Sequence, residues 1–558
     1  MAQLIKYLLI DGLNKAIKKA ISQSLIPLKT IPEIVLERPT RIEHGDFATN
    51  LPLRLSKSTQ MPPMEIANLL SQLIPDKEEL ESITVAKPGF INFTLNQEWI
   101  QKQVPLILAE GESFGNIRPK VSRKILVEFV SVNPTGPVHV GHTRGAVLGS
   151  SLSTILEAAG HSVTREYYVN DAGTQMTLFY QSVLARYLQS LGFQEEVPNN
   201  GYSGSYISEL AEQIIVQEGE RFVHLSKPDA IKEIGTIARN LMLNNIKDAL
   251  KILRVDFDSW FKEQSLFENK EYDEAVNLLQ TRGYTIQKDG ALWFTSSALG
   301  DDKDNVLVRS SGLPTYFASD IAYHHNKLKK RAFDQAINIW GADHQGHVNR
   351  MKAALTALEI NQDKLDILIS QMVTLKRGNS LMKISKRSGE FITLSELVNE
   401  VGPDACRFFF LSRAPSTQMD FDLDLATTES SENPVYYIQY GLARVNSILD
   451  KAIESSLDWN SGDISLLKDP TELSLIKQML MLPELVEKVS NTLEPHHIAH
   501  YSLELATAFH WFYENCRVLS NIPSDMPVTL ARLKLVAATR IVLTKALKLM
   551  GMSTPNRM

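Results

Sequence analysis

Residues 124–132, KILVEFVSV, form a nearly continuous β-branched run, the composition of a strand buried on both faces of a parallel sheet. Two prolines and two glycines interrupt it within the next ten residues, NPTGPVHVGH. Apolar positions then recur at helical spacing in TRGAVLGSSLSTILEAAG (143–160), which closes on Gly160, and HSVTREYYV (161–169) returns to a strand. Strand, turn, helix and strand make a βαβ unit. A second unit starts at QAINIWGADHQGHVNRMKAALTALEI (335–360), with KLDILISQMVTL (364–375) as its next strand. Between them, about 177–300, lie mostly helical patterns such as IARNLMLNNIKDALKIL, which read as an insertion between two half-folds. The expected fold is α/β: a doubly wound, Rossmann-type parallel sheet whose ligand crevice lies where the halves meet.

The flanking regions differ in character. Residues 1–115 combine an opening helix with short strands, among them SITVAKPGFINFTL (82–95) around the turn Pro88-Gly89, and predict a compact α+β appendage. Gly111, Gly115 and Pro119 mark its boundary with a central domain over 120–425. From 430 to 558 helical patterns dominate, predicting an all-α domain.

Charge and composition narrow the classes. The 558 residues hold 58 Lys plus Arg and 64 Asp plus Glu, 58 − 64 = −6, so bulk charge does not announce a nucleic-acid binder. With 44% hydrophobic and 22% charged residues, the chain is globular rather than disordered. Cys406 and Cys516, its two cysteines, exclude a disulfide framework and a Cys-rich zinc module and fit a reducing compartment. No apolar run approaches the roughly 20 residues that span a bilayer. In MAQLIKYLLIDGLNKAIKKAISQ, Asp11 interrupts the apolar run and the lysines follow it, so an amphipathic surface helix of a soluble cytoplasmic protein is expected rather than a leader. Residues 526–558 carry Arg532, Lys534, Arg540, Lys545, Lys548 and Arg557 and no acid, a local +6 that reads as a solvated helix face or as a polyanion contact.

Several residues could carry chemistry. His139-Val140-Gly141-His142 lies at the strand-to-helix turn. There Gly141 allows close approach, free N–H groups at the helix start favour a phosphate, and two imidazoles could donate to its oxygens. Lys383, Ser385 and Lys386 in MKISKRSG (382–389) suit clamping a triphosphate, although a solvated loop is the plainer account of such a segment alone. Tyr316 and Asp320, at i and i+4 of LPTYFASDIAYHHNK, face one direction on a helix. His344 and His347 in GADHQGHVNR (341–350) could pair on a metal, but no third ligand is evident nearby. In YVNDAGTQM (168–176), Asp171 either lines a pocket with Gln175 or caps the following helix.

The string from Glu128 to Ala146, EFVSVNPTGPVHVGHTRGA, closely resembles the HIGH region of class I aminoacyl-tRNA synthetases, in its arginyl-tRNA synthetase version. MKISKRSG is similar to the KMSKS motif of that class, with Ile384 in place of Met and Arg387 in place of the last Ser, about 240 residues downstream as the family requires. NPVYYIQYGLARVNSIL (433–449), AFHWFYENCRV (508–518) and the ending GMSTPNRM look like the family's helical anticodon-binding domain, and KPGFINFTL and GDFATN match its tRNA-contacting N-terminal domain more loosely.

The resemblance implies ATP-dependent activation of L-arginine to arginyl-adenylate, then transfer to the 3′-terminal adenosine of arginine tRNA. It implies a catalytic set of His139, Gly141, His142, Lys383, Ser385 and Lys386. Pro134, Thr135, Gly136, Gly341, Asp343 and His347 would complete the ATP site, with Mg²⁺ arriving on ATP and no metal of the protein's own. Glu128, Asn133, Tyr316, Asp320, His344 and Gln345 would hold arginine, since a guanidinium's planar fork needs carboxylates and carbonyls. Tyr436, Tyr440, Arg444, Trp511 and Arg540 would meet tRNA, with Tyr437 and Tyr513 as further candidates. Because aromatics at helical spacing are more often core, at least half of Tyr436, Tyr437, Tyr440, Arg444, Trp511 and Tyr513 are expected to be buried. The resemblance further implies a monomer, no membrane partner, no editing site and an activation step that needs bound tRNA.

Overall fold

The computed structural model describes residues 5–171, 173–378, 380–382 and 392–558. Its centre is a five-stranded sheet, parallel throughout, in the order Leu365–Ser370, Gln335–Gly341, Lys124–Glu128, Ser162–Val169, Ser259–Lys262. Ile125, Leu126 and Val127 are wholly buried, as a central strand covered on both faces requires. The helix Val140–Ala158 follows it and packs so closely that a Cβ on Gly149 would lie 2.1 Å from the Phe129 ring. Only glycine fits there.

Three sequence expectations change. The run 124–132 leaves the sheet at Glu128, because Val130 and Ser131 adopt φ of 68° and 43°. Positive φ is costly for a β-branched residue. Hydrogen bonds hold the kink: Ser131 Oγ accepts from the Tyr168 amide at 3.1 Å, and Tyr167 Oη donates to the Val132 carbonyl at 2.8 Å. The run 364–375 is two strands. Leu365–Ser370 belongs to the main sheet, whereas Val373–Arg377 pairs with Met419–Asp422 and Ser380–Met382 in a separate sheet. The chain is redirected at Gln371, whose amide donates to Pro415 at 2.9 Å and whose carbonyl accepts from buried Arg144 at 3.1 Å. The stretch 177–300 also contains strands: Ser259–Lys262 is the edge of the main sheet, and Thr285–Lys288 and Ala291–Phe294 form an antiparallel sheet with Asn305–Val308.

The N-terminal part has the three-stranded antiparallel sheet Phe47–Thr49, Phe90–Leu95, Leu80–Ala86, and a helix, Ile5–Ser22, that buries Leu9, Leu13 and Ile17. It docks on the C-terminal helices: Lys6 and Tyr7 meet Glu487, Arg38 meets Glu484 at 2.9 Å, and Lys477 meets Asp46 at 2.6 Å. The last helix, Met526–Leu549, is no solvated face. It buries Leu533, Leu535, Val536, Val542, Leu543 and Leu547. Its cations mostly bind their own chain: Arg532 to Glu472 at 2.7 Å, Lys534 to the Asn460 carbonyl at 3.0 Å, Lys545 to Asn116 at 2.6 Å, Lys548 to Glu112 at 2.9 Å. Four of the six charges are thus engaged, two within the C-terminal domain and two, Lys545 and Lys548, toward residues 112–116, while Arg540 and Arg557 are exposed. Among the described residues no helix is long and apolar enough to cross a membrane.

Candidate active site

At the carboxyl edge of the sheet, His139 caps the helix Val140–Ala158, its Nδ1 accepting the Gly141 amide at 3.1 Å. That bond puts the His139 proton on Nε2. The His139 and His142 rings lie 3.7 Å apart between centroids. Burial lowers both pKa values, that of His142 to about 3 with the neighbouring imidazole contributing, so both rings are neutral donors at pH 7. His142 Nδ1 is buried without a protein partner. A side chain on Gly141 would crowd His139, at 3.0 Å from its ring.

The helix start itself differs from expectation. The Val140 amide donates to the Ile392 carbonyl at 3.0 Å, Gly141 to His139 Nδ1, and the His142 amide to the His139 carbonyl at 2.9 Å. These N–H groups are not free for phosphate. Anion recognition here falls to the imidazoles and to whatever cation approaches them. Lys383, Ser385 and Lys386 lie outside the described residues. The residues after that segment adjoin the histidines: Thr393 bridges to His139, and the Leu394 amide donates to the Val138 carbonyl at 2.8 Å. The residues before it, Ser380–Met382, pair with Val373–Arg377.

The NPTG turn is braced by a residue absent from the sequence reading. Tyr206, from the helix Ser205–Glu218, donates to the Thr135 carbonyl at 2.9 Å and lies 3.2 Å from where a Gly136 Cβ would be. Asn133 donates to Gln175. Asp171 does not cap the following helix, whose N-cap is Gly173. Its carboxylate accepts instead from the Gln264 amide at 3.2 Å and from Arg239 at 3.5 Å.

Carboxylates converge beside this turn. Glu128 is buried at the strand end. Glu263, just past the edge strand, is also buried, and Ser319 donates to it. Asp320 lies on the helix Tyr316–His325, one turn after Tyr316, as the spacing predicts. Tyr316 is 43% exposed, with its hydroxyl 3.2 Å from where a Gly173 Cβ would be. Burial, then the charges of Glu128 and Glu263, raise the Asp320 pKa to about 7, against smaller relief from Lys327 and Arg350. The group is poised to ionise when a cation arrives. Sequence reasoning missed Glu263, Lys327 and Arg350, because nothing local in the chain links them to this crevice.

Gly341, Asp343, His344, Gln345 and His347 belong to the strand end and the 3₁₀ turn Ala342–His347 at the neighbouring strand's carboxyl edge. His344 lies 3.5 Å from Asp343 and its ring 5.2 Å from that of His347. A Cβ on Gly341 would stand 2.5 Å from Asp343 Oδ1. Among the described residues no three His, Cys, Asp or Glu side chains converge as a metal site.

In the C-terminal domain the expected burial is overturned. None of Tyr436, Tyr437, Tyr440, Arg444, Trp511 and Tyr513 is buried, and Tyr440, Trp511 and Tyr513 are exposed. The helices Pro434–Glu454 and His496–Asn515 direct Leu442, Val445, Leu505 and Phe509 inward and leave a polar-aromatic face outward. On it Tyr436 and Tyr440 stack at 5.9 Å and 8°, and the Arg444 guanidinium lies 4.6 Å from the Tyr440 ring and 4.7 Å from Tyr513.

Known families account for most of the chain. Residues 11–95 match the arginyl tRNA synthetase N terminal domain, 103–409 the catalytic domain of tRNA synthetases class I (R), and 438–558 the DALR anticodon binding domain. An arginine–tRNA ligase of Dehalococcoides mccartyi is 51% identical over 554 residues, 99% of each chain. One from Carboxydothermus hydrogenoformans is 47% identical over 94% of each. The arginyl-tRNA synthetase structure of Thermus thermophilus shares the fold, with a TM-score of 0.77 at 23% identity over 98% of this chain and all of the other.

Proposed function

This chain belongs to the class I arginine–tRNA ligases, and on that premise we propose which of its residues carry the reaction. The enzyme uses ATP and L-arginine to form arginyl-adenylate, then transfers the arginyl group to the 3′-terminal adenosine of arginine tRNA. In the first step the arginine carboxylate attacks the α-phosphorus in line and pyrophosphate leaves. In the second a hydroxyl of the terminal adenosine attacks the arginyl carbonyl and AMP leaves.

Catalysis rests on positioning and on stabilising charge in the triphosphate, since no protein nucleophile is required. His139 and His142 donate to the phosphates, joined by Lys383 and Lys386, while Pro134, Thr135 and Gly136 shape the nucleotide crevice opposite Gly341, Asp343 and His347. A neutral imidazole pair supports this role, because approach of an anion raises both pKa values and strengthens their bonds as charge builds. Mg²⁺ belongs with ATP. It would arrive with the nucleotide, the phosphate oxygens supplying hard ligands of the kind it prefers.

The observation that carries the amino-acid assignment is the carboxylate cluster in which Asp320 is held near neutrality. A cationic substrate relieves that cost, and an apolar one leaves it in place. Glu128 and Asp320 would take the two cationic groups of arginine, with Glu263 beside them, while Asn133 and Tyr316 orient the substrate and His344 and Gln345 border it. The exposed Tyr436, Tyr440, Arg444 and Trp511 face suits stacking on unpaired loop bases. Residues 1–115 would meet the tRNA, 120–425 perform the chemistry and 430–558 read the anticodon, in a cytoplasmic monomer. The test is arginine charging by Asp320→Asn: its KM for arginine should rise at least tenfold with KM for ATP unchanged. An unchanged arginine KM removes Asp320 from the pocket.

A further inference from the structure

Lys327 is wholly buried, and no step described above uses it. It lies in a π-helical turn, Asn326–Lys330, that widens the end of the helix bearing Tyr316 and Asp320. Such turns recur at functional sites. Its ammonium donates to Glu128 Oε2 at 2.5 Å and Asn338 Oδ1 at 3.1 Å, and stands 3.9 Å from the centre of the Tyr323 ring. Glu128 and Asn338 are register partners near the carboxyl ends of adjacent strands, so one buried charge ties both.

The bonds continue to Asp320. His324 Nδ1 is 2.7 Å from the Asp320 carbonyl, which can only accept, so Nδ1 carries the proton. Nε2 then accepts from Asn338 Nδ2 at 2.7 Å, leaving Asn338 Oδ1 for the lysine. This arrangement needs a neutral His324, and burial lowers its pKa to about 3. At the other end Glu128 Oε1 accepts from Ser131 Oγ at 3.2 Å. The backbone of Asp320 and the carboxylate of Glu128 are thus joined through His324, Asn338 and Lys327.

A buried ion pair contributes little net stability compared with apolar groups of the same shape, so stability alone does not account for this lysine. We propose that Lys327 is a positioning residue of the arginine pocket: it fixes Glu128 relative to Asp320 and offsets the charge of Glu128, which keeps Asp320 able to ionise for the substrate. The proposal rests on the assignment of Asp320 and Glu128 to that pocket. Asp320 is faced by Glu128 from the central strand, the neutral Tyr168 phenol from the strand Ser162–Val169, Glu263 from beyond the edge strand, Lys327 from the π turn and Arg350 from the helix Val348–Ala357. The signs follow from this set. Removing Lys327 alone makes Asp320 harder to ionise, removing the Glu128 charge alone makes it easier, and removing both returns it near its starting point.

The experiment is calorimetric binding of L-arginine to the full-length protein across about pH 5.5 to 8.5. For the unmodified protein, affinity should fall as pH drops below about 7, where Asp320 takes a proton. Lys327→Met should move that break up by about one pH unit and weaken binding near pH 6.5 about tenfold. Glu128→Gln should move it down, and the double variant should restore it. If Lys327→Met does not fold, Glu128→Gln against the double variant reads the same sign. A break that stays put in both comparisons overturns the proposal, since a merely structural lysine would weaken binding without moving it. Wild-type arginine affinity in Asp320→Asn would instead overturn the pocket assignment.

Discussion

The His139 and His142 rings lie 3.7 Å apart at a tilt of 36°, both neutral in the resting site, and the Gly141 amide fixes the tautomer of the first. Two charged imidazoles at that distance would repel, so the pair gains protons only with an anion against it. The site is therefore weakly basic when empty and strongly so when filled. That suits charge that builds during reaction better than charge present from the start.

His142→Ala should lower the rate of tRNA charging by about two orders of magnitude, the usual cost of one donor to a developing negative charge, with tRNA affinity within about twofold. Steady-state charging and filter binding read the two effects. Equal collapse of both would make the histidine structural.

Asp320→Asn should exchange function for stability. The folded pKa, about 7, exceeds the unfolded value, so the carboxyl favours the folded state at low pH, and that contribution is lost as pH rises from about 4 through 7. The amide keeps no such charge. Thermal unfolding at about pH 8 should show the variant more stable by on the order of 1–3 kcal/mol, with no gain near pH 4. A variant less stable at both pH values would contradict the electrostatic account of the pocket.

Gly149→Ala places a methyl group against the Phe129 ring, which adjoins Glu128 and the kink at Val130. Overpacking of this kind costs about 1–3 kcal/mol. Denaturant midpoints should fall accordingly, and arginine KM should rise as the strand end shifts. Unchanged stability would mean that the helix can move away from the sheet.

Tyr440→Ala should weaken tRNA binding roughly tenfold or more, at about 1–3 kcal/mol per stacked base, while arginine binding to the free protein stays unchanged. An unaltered tRNA dissociation constant would remove this face from the interface.

What the chain disclosed and what it hid divide along contact range. His139, Gly141 and His142 share one turn, and Tyr316 and Asp320 one helical repeat, so their joint placement follows from local spacing. Lys327 and Glu128 are separated by 199 positions, and only the folded sheet joins them. The strand 259–262 has four residues and no periodicity of its own; pairing with Ser162–Val169 creates it. The kink at Val130 depends on Tyr167 and Tyr168. At least half of the tRNA-contact candidates in the last domain read as core because helical spacing cannot tell which of two apolar faces is covered, and aliphatic side chains fill the inner one. The basic residues of the last helix read as a free face because their partners, Glu112, Asn116, Asn460 and Glu472, lie far away in sequence.

The central claim is that an acidic crevice beside a neutral histidine pair selects arginine for activation and transfer. Aminoacylation of total tRNA with each of the twenty labelled amino acids in turn, with ATP and Mg²⁺, tests it most directly. Charging by arginine alone is the predicted result. Charging by lysine or any other amino acid would keep the fold and contradict the pocket, and no charging with tRNA still bound would contradict the catalytic assignment.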